Sequence, residues 1–485
     1  MRPLDQPPAR CSGRGRAPWQ VPLVVDRHLP ESLTGQLVSA VRTAVHDGSF
    51  PTASRLPSTR ALAADLGISR TVTAEAYARL IAEGYLETRH GSGTFVADLT
   101  LPGPPPQRGH VAVTVASAAP SLDLRTGTTA PDPSGPAGWG RAVRVAARDS
   151  LPNSYQDARG SAELRAAVAA YLGRSRGLTC SAEDVVVTSG STQSLDLLLR
   201  AAAPAESVVA HESPGHPGVA ALIRHHRLTP VAIPVDGDGL RVDLLRRAAP
   251  APGMVHVTPS HQYPLGMRMN VGRRAELTGW ARDHDAVVIE DDYDSEFRFD
   301  GPPLPTLASL DRGCVVYLGT LSKVLSPAVR CGFLVARADL VDEITRVKNL
   351  VDGPLSWPLQ RTVVELLTSR TLDRHVRRVR HRYARARTRL LDGLIDVHRL
   401  VEVTGAETGL HVTLRLVRGH GAAELVTRAQ RRGVALARVS GPPGDQGDRG
   451  DRDDTVVIAY GGLTDDQLGA AARELAGLIR ASVSR

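Results

Sequence analysis

Lysine is almost absent from this chain. Of its 59 basic residues only Lys323 and Lys348 are lysine, and the rest are arginine. Arginine serves a charged surface as lysine does, and its planar fork holds carboxylate and phosphate better. Its guanidinium stays protonated at any ordinary pH, so it forms no Schiff base. A lysine that survives such a bias calls for a chemical reason. Lys323 lies in YLGTLSKVLSPAVR, behind a cluster of small hydroxyls and seven residues before Arg330. Lys348, in TRVKNL, has no such setting and reads as a surface helix residue.

Cysteine is scarce as well. Cys11, Cys180, Cys314 and Cys331 are scattered without CxxC spacing, which argues against a zinc module and a disulfide framework and for free thiols in a reducing cytoplasm. No apolar run approaches the length of a membrane span, and VPLVV near the start is too short for a signal peptide core. A cytoplasmic protein with no membrane partner is expected. What is present is a soluble globular composition, 42% hydrophobic and 23% charged. At 485 residues the chain exceeds one ordinary core. A net charge of +8 is compatible with a nucleic-acid partner.

The order of segments suggests two modules. Residues 1–24 open with a Pro-, Gly- and Arg-rich stretch and read as a disordered tail. Residues 25–98 are compact and helical, ending in a Gly-punctuated hairpin. Residues 99–120 carry a PPP run and form an interdomain linker. In 121–485, helical segments alternate with the runs VVVTSG, SVVAHE, VAIPV, MVHVTPS, AVVIEDD, CVVYLGT and GFLVA. Nearly continuous Val/Ile runs between helices indicate an α/β domain with a buried, mostly parallel sheet. GPPGDQGDRGDRDD at 441–454 reads as an exposed insertion.

In the first module, Ser58–Leu66 is a short amphipathic helix with Leu62 and Leu66 on one face. Gly67 turns the chain, and Ser69 caps a second helix whose Val72, Ala76 and Leu80 face inward. Two β runs joined by HGSG follow. Helix, turn, helix and wing present a helix N-terminus to a major groove. Arg60, Arg70 and His90 would then share one side, with the Ser69 and Thr71 hydroxyls near phosphates. LPSTRALA, ISRTVT and GYLETRHGSGTFV resemble the GntR-type winged helix-turn-helix. That resemblance implies operator DNA as partner, with Arg60, Ser69, Arg70, Thr71, His90 and Gly91 at the contact positions. Ala74 departs where some relatives carry arginine. The competing reading is a winged helix used for protein contacts alone.

In the second module, four requirements of pyridoxal 5'-phosphate (PLP) find candidates: a lysine for its aldehyde, an anion cradle, a carboxylate for the pyridine nitrogen and a partner for the ring hydroxyl. VVVTSGSTQSLDLLL is a strand whose turn opens a helix, placing backbone N–H groups and the Ser191 and Thr192 hydroxyls for a phosphate. AVVIEDDYDSEFRF delivers Asp291 for the ring nitrogen and, two residues on and on the same side, Tyr293 for the ring oxygen. Arg330 adds a bidentate anion contact, and Thr320 and Ser322 add hydroxyls. A metal site from Glu290, Asp291 and Asp292 is the alternative, but no nearby histidine supports it and no metal is expected.

The order GSTQ, EDDY, then SK looks like a fold-type I aminotransferase: a large parallel-sheet domain and a smaller α+β subdomain. TPSHQYPLG, IEDDYDSEFR, YLGTLSKVLSPAVRCGFL and HVRRVRHRYARAR are similar to the C-terminal domain of MocR-type regulators. The resemblance implies PLP as a Schiff base on Lys323, sensing of PLP itself or of an amine or amino acid, and a head-to-tail homodimer. In it, Tyr155 matches a tyrosine that reaches the neighbouring subunit's phosphate. His216 stands where relatives carry a tyrosine stacked on the ring; it either stacks, with pH-sensitive affinity, or lies nearby in a loop. VVIAYGG lacks the arginine that clamps a substrate carboxylate, and Arg438 is a loosely held substitute. Sensing is therefore expected over turnover; the rival is a working aminotransferase with an accessory DNA-binding domain. In residues 371–390, Leu372, Val376, Val379, Tyr383 and Leu390 face inward, and Arg374, Arg378, Arg382, Arg385 and Arg389 form a stripe. The stripe is either a solvated face or a sequence-independent DNA contact.

Overall fold

Capping and turn chemistry set the elements of the first unit. Ser32, Ser58 and Ser69 each accept a backbone N–H at the start of α1 (Leu33–His46), α2 (Thr59–Leu66) and α3 (Arg70–Ala82). Gly67 ends α2 at φ 64°, a left-handed turn that glycine adopts without strain. β1 (Leu86–Arg89) and β2 (Gly93–Val96) pair antiparallel as the wing. Leu37, Val41, Ala76, Leu80, Leu86 and Val96 close the core, where Tyr77 donates to Pro57 O at 3.0 Å. Thr73 ties α3 to α2 through Thr59 O at 2.9 Å.

The computed structural model describes residues 23–98, 121–129, 138–299, 301, 304–417, 421–439 and 454–483. The chain divides into two compact units near residue 117. Residues 1–22 of the expected tail, the 99–120 connector and residues 441–453 of the expected insertion lie outside the described residues.

The second unit runs β3 (Leu122–Asp123), α4 (Trp139–Ala146), α5 (Ala162–Arg176), β4 (Val185–Thr188), α6 (Ser191–Ala202), β5 (Val208–Ser213), α7 (Pro217–His225), β6 (Thr229–Asp236) and β7 (Gly239–Leu240). It continues α8 (Val242–Leu245), β8 (Met254–Val257), α9 (Val271–Asp283), β9 (Val287–Asp292), β10 (Val315–Thr320), β11 (Gly332–Val335), α10 (Ala338–Val351), α11 (Trp357–Thr368) and α12 (Thr371–Gly393). It ends β12 (Val401–Thr404), β13 (His411–Leu416), α13 (Ala422–Arg431), β14 (Val434–Ala435), β15 (Ala437–Arg438), β16 (Thr455–Ala459) and α14 (Asp465–Val483).

All seven expected strands join one eight-stranded sheet of order β4-β11-β10-β9-β8-β5-β6-β7. β11 and the short β7 run antiparallel to their neighbours; β5, β6, β8, β9 and β10 are parallel. Alternate residues explain the unbroken apolar runs. Val186, Val209, Ile289 and Leu318 pack with α6 and α10 on one face. Val187, Ala210, Val288 and Tyr317 pack into the larger core on the other, with residues of α5, α9 and α12. A second, antiparallel sheet, β12-β13-β16-β15, forms the smaller subdomain. No helix among the described residues is long and apolar enough to cross a membrane.

Two outcomes concern charge. The five apolar positions of α12 are buried as expected, and Arg374, Arg378, Arg385 and Arg389 are exposed. Arg382 is half-buried and donates to Leu463 O at 3.3 Å. Lys348 departs from the expectation of a surface residue. It sits on α10 but is only 1% exposed, because Asp352, four residues on, takes its ammonium at 2.9 and 3.1 Å. The compensating carboxylate makes burial of the charge tolerable.

Candidate functional site

The C-terminal ends of the parallel strands open into a cavity of about 310 Å³, the edge at which open α/β sheets place ligands. Beyond β4, the turn Ser189–Gly190 delivers the N-terminus of α6, whose Ser191 and Thr192 line the cavity. Gly190 has φ 127°, and the Arg330 guanidinium lies 3.5 Å from the point its Cβ would occupy. A Cβ on Gly332 would stand 2.7 Å from Gly190 Cα. Glycine at both positions permits this close approach. Helix-start N–H groups, two hydroxyls and a guanidinium together make an anion cradle.

Strand alternation divides the acids of β9. Glu290 accepts from Leu307 N at 2.8 Å and Ala308 N at 2.9 Å, and Asp292 accepts from Arg176 Nε and Tyr317 Oη, each at 2.7 Å. Asp291 alone of the three lines the cavity. The three carboxylates do not converge, which corrects the metal alternative. Burial, with the charge of Asp292 added, pushes the Glu290 carboxyl up to about 7. Asp291 Oδ2 lies 3.4 Å from His256 Nε2, whereas its Oδ1 is buried with no hydrogen-bond partner among the described residues.

β10 carries Thr320 and Ser322 to the cavity and then Lys323. Thr320 Oγ1 accepts from Ser322 N at 3.1 Å, and Ser322 Oγ is buried without a partner among the described residues. Burial lowers the Lys323 pKa from its ordinary value, with Asp294 and Asp291 pulling the other way. The result favours the neutral, nucleophilic amine.

Tyr293 shares the cavity with Asp291, as expected of positions two apart on one side. Its hydroxyl is engaged by His261, 3.0 Å from the carbonyl oxygen and 3.1 Å from Nδ1. Burial, then the charge of Asp294, raise its pKa well above the phenolic value. His216 caps α7, its Nδ1 accepting from Gly218 N at 3.1 Å. Its ring opens on the cavity, 5.4 Å from that of Tyr263. His216 is exposed as a residue, and the partial loss of water around its ring lowers its pKa; Asp291 opposes this, and His256 and Lys323 reinforce it.

Nine predicted residues thus meet in one place: Ser191, Thr192, His216, Asp291, Tyr293, Thr320, Ser322, Lys323 and Arg330. Tyr155 does not join them and stands fully exposed at 102%. Arg438, exposed on β15, is not among the lining residues either. Sequence reasoning missed Thr126, Thr128, Tyr263 and His411. Tyr263 Oη and Thr126 Oγ1 are 3.1 Å apart, and burial and neighbouring His261 push His411 down to about 3. Tyr263 had a legible signal, an aromatic beside Pro-Leu-Gly just beyond a strand, in a chain only 4% aromatic. Thr126 and His411 had none, since tertiary folding alone brings them here.

In the first unit, Arg60, Ser69, Arg70, Thr71, His90 and Gly91 are all exposed. The nearby acids are engaged elsewhere. Glu83 pairs with Arg42 at 2.7 Å and Arg79 at 3.0 Å, Glu87 with Arg89 at 2.7 Å, and Glu75 accepts from Thr34 at 3.3 Å. Arg60, Arg70 and His90 make no ion pair among the described residues, which leaves their donors for an outside anion.

Comparison with known proteins agrees with both units. Residues 33–96 match the bacterial regulatory proteins of the gntR family, and residues 135–449 match aminotransferase class I and II. The probable rhizopine catabolism regulatory protein MocR of Rhizobium meliloti is 34% identical over 86% of this chain and 88% of its own length. The pyridoxine biosynthesis transcriptional regulator PdxR of Corynebacterium glutamicum is 32% identical over 92% and 96%. Among solved structures, the α-aminoadipate aminotransferase LysN of Thermus thermophilus, in complex with N-(5'-phosphopyridoxyl)-L-leucine, has a TM-score of 0.67 at 27% identity, covering 75% of this chain and 93% of its own. With a GntR helix-turn-helix region ahead of a fold-type I aminotransferase domain, this chain belongs to the MocR-type transcriptional regulators of the GntR family.

Proposed function

We propose that residues 25–98 bind operator DNA and that residues 121–485, joined through the 99–120 connector, sense PLP or an amino compound at Lys323. The observation that supports this reading most is the meeting of a water-poor lysine amine, a carboxylate with one buried oxygen lacking a partner and an anion cradle in one cavity. A buried polar atom without a partner is costly. Asp291 Oδ1 and Ser322 Oγ are two such atoms, so the site fits a group that satisfies both. PLP, when bound, supplies an aldehyde that captures amines and an electron-withdrawing ring. The α6 N-terminus, Ser191, Thr192 and Arg330 hold its phosphate, and Thr320 and Ser322 add hydroxyls. Asp291 would keep a proton on the ring nitrogen, Tyr293 would serve the ring oxygen and His216 would face the ring. Lys323 would offer its amine to the aldehyde. Tyr155, free on its own subunit, completes the cradle of a neighbouring one in a head-to-tail homodimer.

Adding PLP to purified protein tests this directly. A visible absorption band is expected, and borohydride should fix the label on Lys323, read by peptide mass. Lys323→Ala should keep its affinity for operator DNA by fluorescence anisotropy and lose the response to PLP and amines. An unimpaired response refutes the sensing role, and colourless protein reduces the domain to scaffold. The likeness to LysN favours one second reading, a working aminotransferase, which requires turnover of an amino donor with a keto acid.

A further inference from the structure

The second lysine leads back to the same site. Lys348 Nζ donates to both carboxylate oxygens of Asp352. Asp352 Oδ2 also accepts from Gln193 Nε2. Gln193 turns its own carbonyl oxygen to the backbone N–H of Ser189, at 2.7 Å. Ser189 is the first residue of the turn that starts the anion cradle. A chain of donors and acceptors thus runs from the end of α10, through the first turn of α6, to the backbone that aims the α6 N–H groups. It begins at Lys348, 1% exposed, and ends on the turn directly ahead of Ser191 and Thr192, which line the cavity.

We infer that Lys348, Asp352 and Gln193 are positioning residues for the phosphate cradle, holding the Ser189–Gly190 turn in the geometry that accepts an anion. Besides this brace the turn is held by Thr188, whose hydroxyl accepts from Gly190 N at 3.4 Å, by Ser194, whose N–H and hydroxyl donate to Gly190 O at 3.0 and 3.3 Å, and by the close packing of Gly332. Among the described residues none but the brace holds Ser189 N. The Gly190 φ of 127° is a conformation that few residues favour, so an external hold has a task here. The retention of lysine at position 348 follows. A guanidinium would bring five N–H donors into an enclosed space where the ammonium presents three. Both lysines therefore serve one ligand: Lys323 by bonding to it, Lys348 by fixing the turn that grips its phosphate.

The inference rests on the PLP reading above, and two measurements separate them. Lys348→Met, of similar volume, and Asp352→Ala, at an exposed position, both break the relay; the second carries the test if the first does not fold. Hydrogen exchange at Ser189 in cofactor-free protein should quicken in both variants. Affinity for PLP, by spectral titration, should weaken about tenfold, the size of one lost hydrogen bond to a charged group. Affinity for pyridoxal, which lacks the phosphate, should stay at the wild-type value. Unchanged exchange at Ser189 overturns the relay, as does equal loss of both aldehydes, which would mark a merely structural role. A wild-type protein that takes up neither aldehyde instead removes the PLP reading, and the cradle's purpose with it.

Discussion

Replacing Asp292 by asparagine should unfold the second unit far more readily than its conservative chemistry suggests. Arg176 and Asp292 form an ion pair with side-chain exposures of 0% and 3%, closed by contacts of 2.7 and 2.5 Å. Tyr317 donates to the same carboxylate at 2.7 Å, and Arg176 donates to Leu304 O at 3.2 Å and to Ser260 Oγ at 3.3 Å. Burial works against the guanidinium, and Asp292, with Tyr317 and Glu296, more than offsets it, so the Arg176 pKa is raised. An exposed pair would be worth about 0–1 kcal/mol. Here neutralising one partner strands a buried cation, at a cost of about 3–5 kcal/mol. With urea slopes of about 1–3 kcal/mol/M, the unfolding midpoint should fall by about 1 M or more. Fluorescence of the buried Trp280, in the same core, follows the transition. Adding Arg176→Met removes the stranded charge, while the asparagine oxygen still accepts from Tyr317, so the double variant should recover most of the loss. The two changes would then be strongly coupled in a double-mutant cycle. A single variant costing under about 1 kcal/mol, or a strictly additive cycle, refutes the reasoning.

The fold makes two other demands on solution behaviour. Burial, reinforced by the charge of Asp292, raises the carboxyls of Glu290 and Glu296 to about 7. A raised folded-state pKa gives stability that is complete below the ordinary carboxylate value and is lost as pH rises through about 7. Urea midpoints of the second unit should therefore decline across that window, and Glu296→Gln should flatten the decline; a midpoint that climbs instead excludes the linkage. In the first unit, Ser69 accepts from Val72 N at 3.3 Å and caps α3. Ser69→Ala should cost about 1 kcal/mol of that unit's stability by thermal unfolding. It should also weaken operator binding in anisotropy titrations, and full retention of both removes Ser69 from the capping and contact roles.

The parts legible in the sequence were those governed by local rules. Each strand of the large sheet that carries a Val/Ile run could be seen because both faces are covered, so its apolar residues need not alternate with polar ones. Asp291 and Lys323 could be picked out as cavity residues because one lies at, and the other just beyond, the end of a strand that opens on the cavity, and because their chemistry has few substitutes in so arginine-rich a chain. Asp292 and Glu290 were harder. Their partners Arg176, Leu307 and Ala308, distant in sequence, show what holds these two acids away from the cavity that Asp291 lines. Tyr293 illustrates the same limit, since its hydroxyl is engaged by His261, 32 positions away.

Lys348 is the most instructive miss, because the premise that exposed it was correct and incompletely applied. An arginine bias marks every retained lysine as a position where a guanidinium is unsuitable, and there are two grounds for unsuitability. One is reactivity, which the motif around Lys323 displays locally. The other is enclosure, which a helix sequence such as TRVKNL displays only if its neighbours are known. Asp352 stood four residues away, a spacing that aligns side chains on one helical face. That pairing reads as a solvated salt bridge until Gln193 and the Ser189 turn are seen on its far side. Composition therefore located both lysines, local sequence explained one, and only tertiary structure supplied Gln193 and the turn that explain the other.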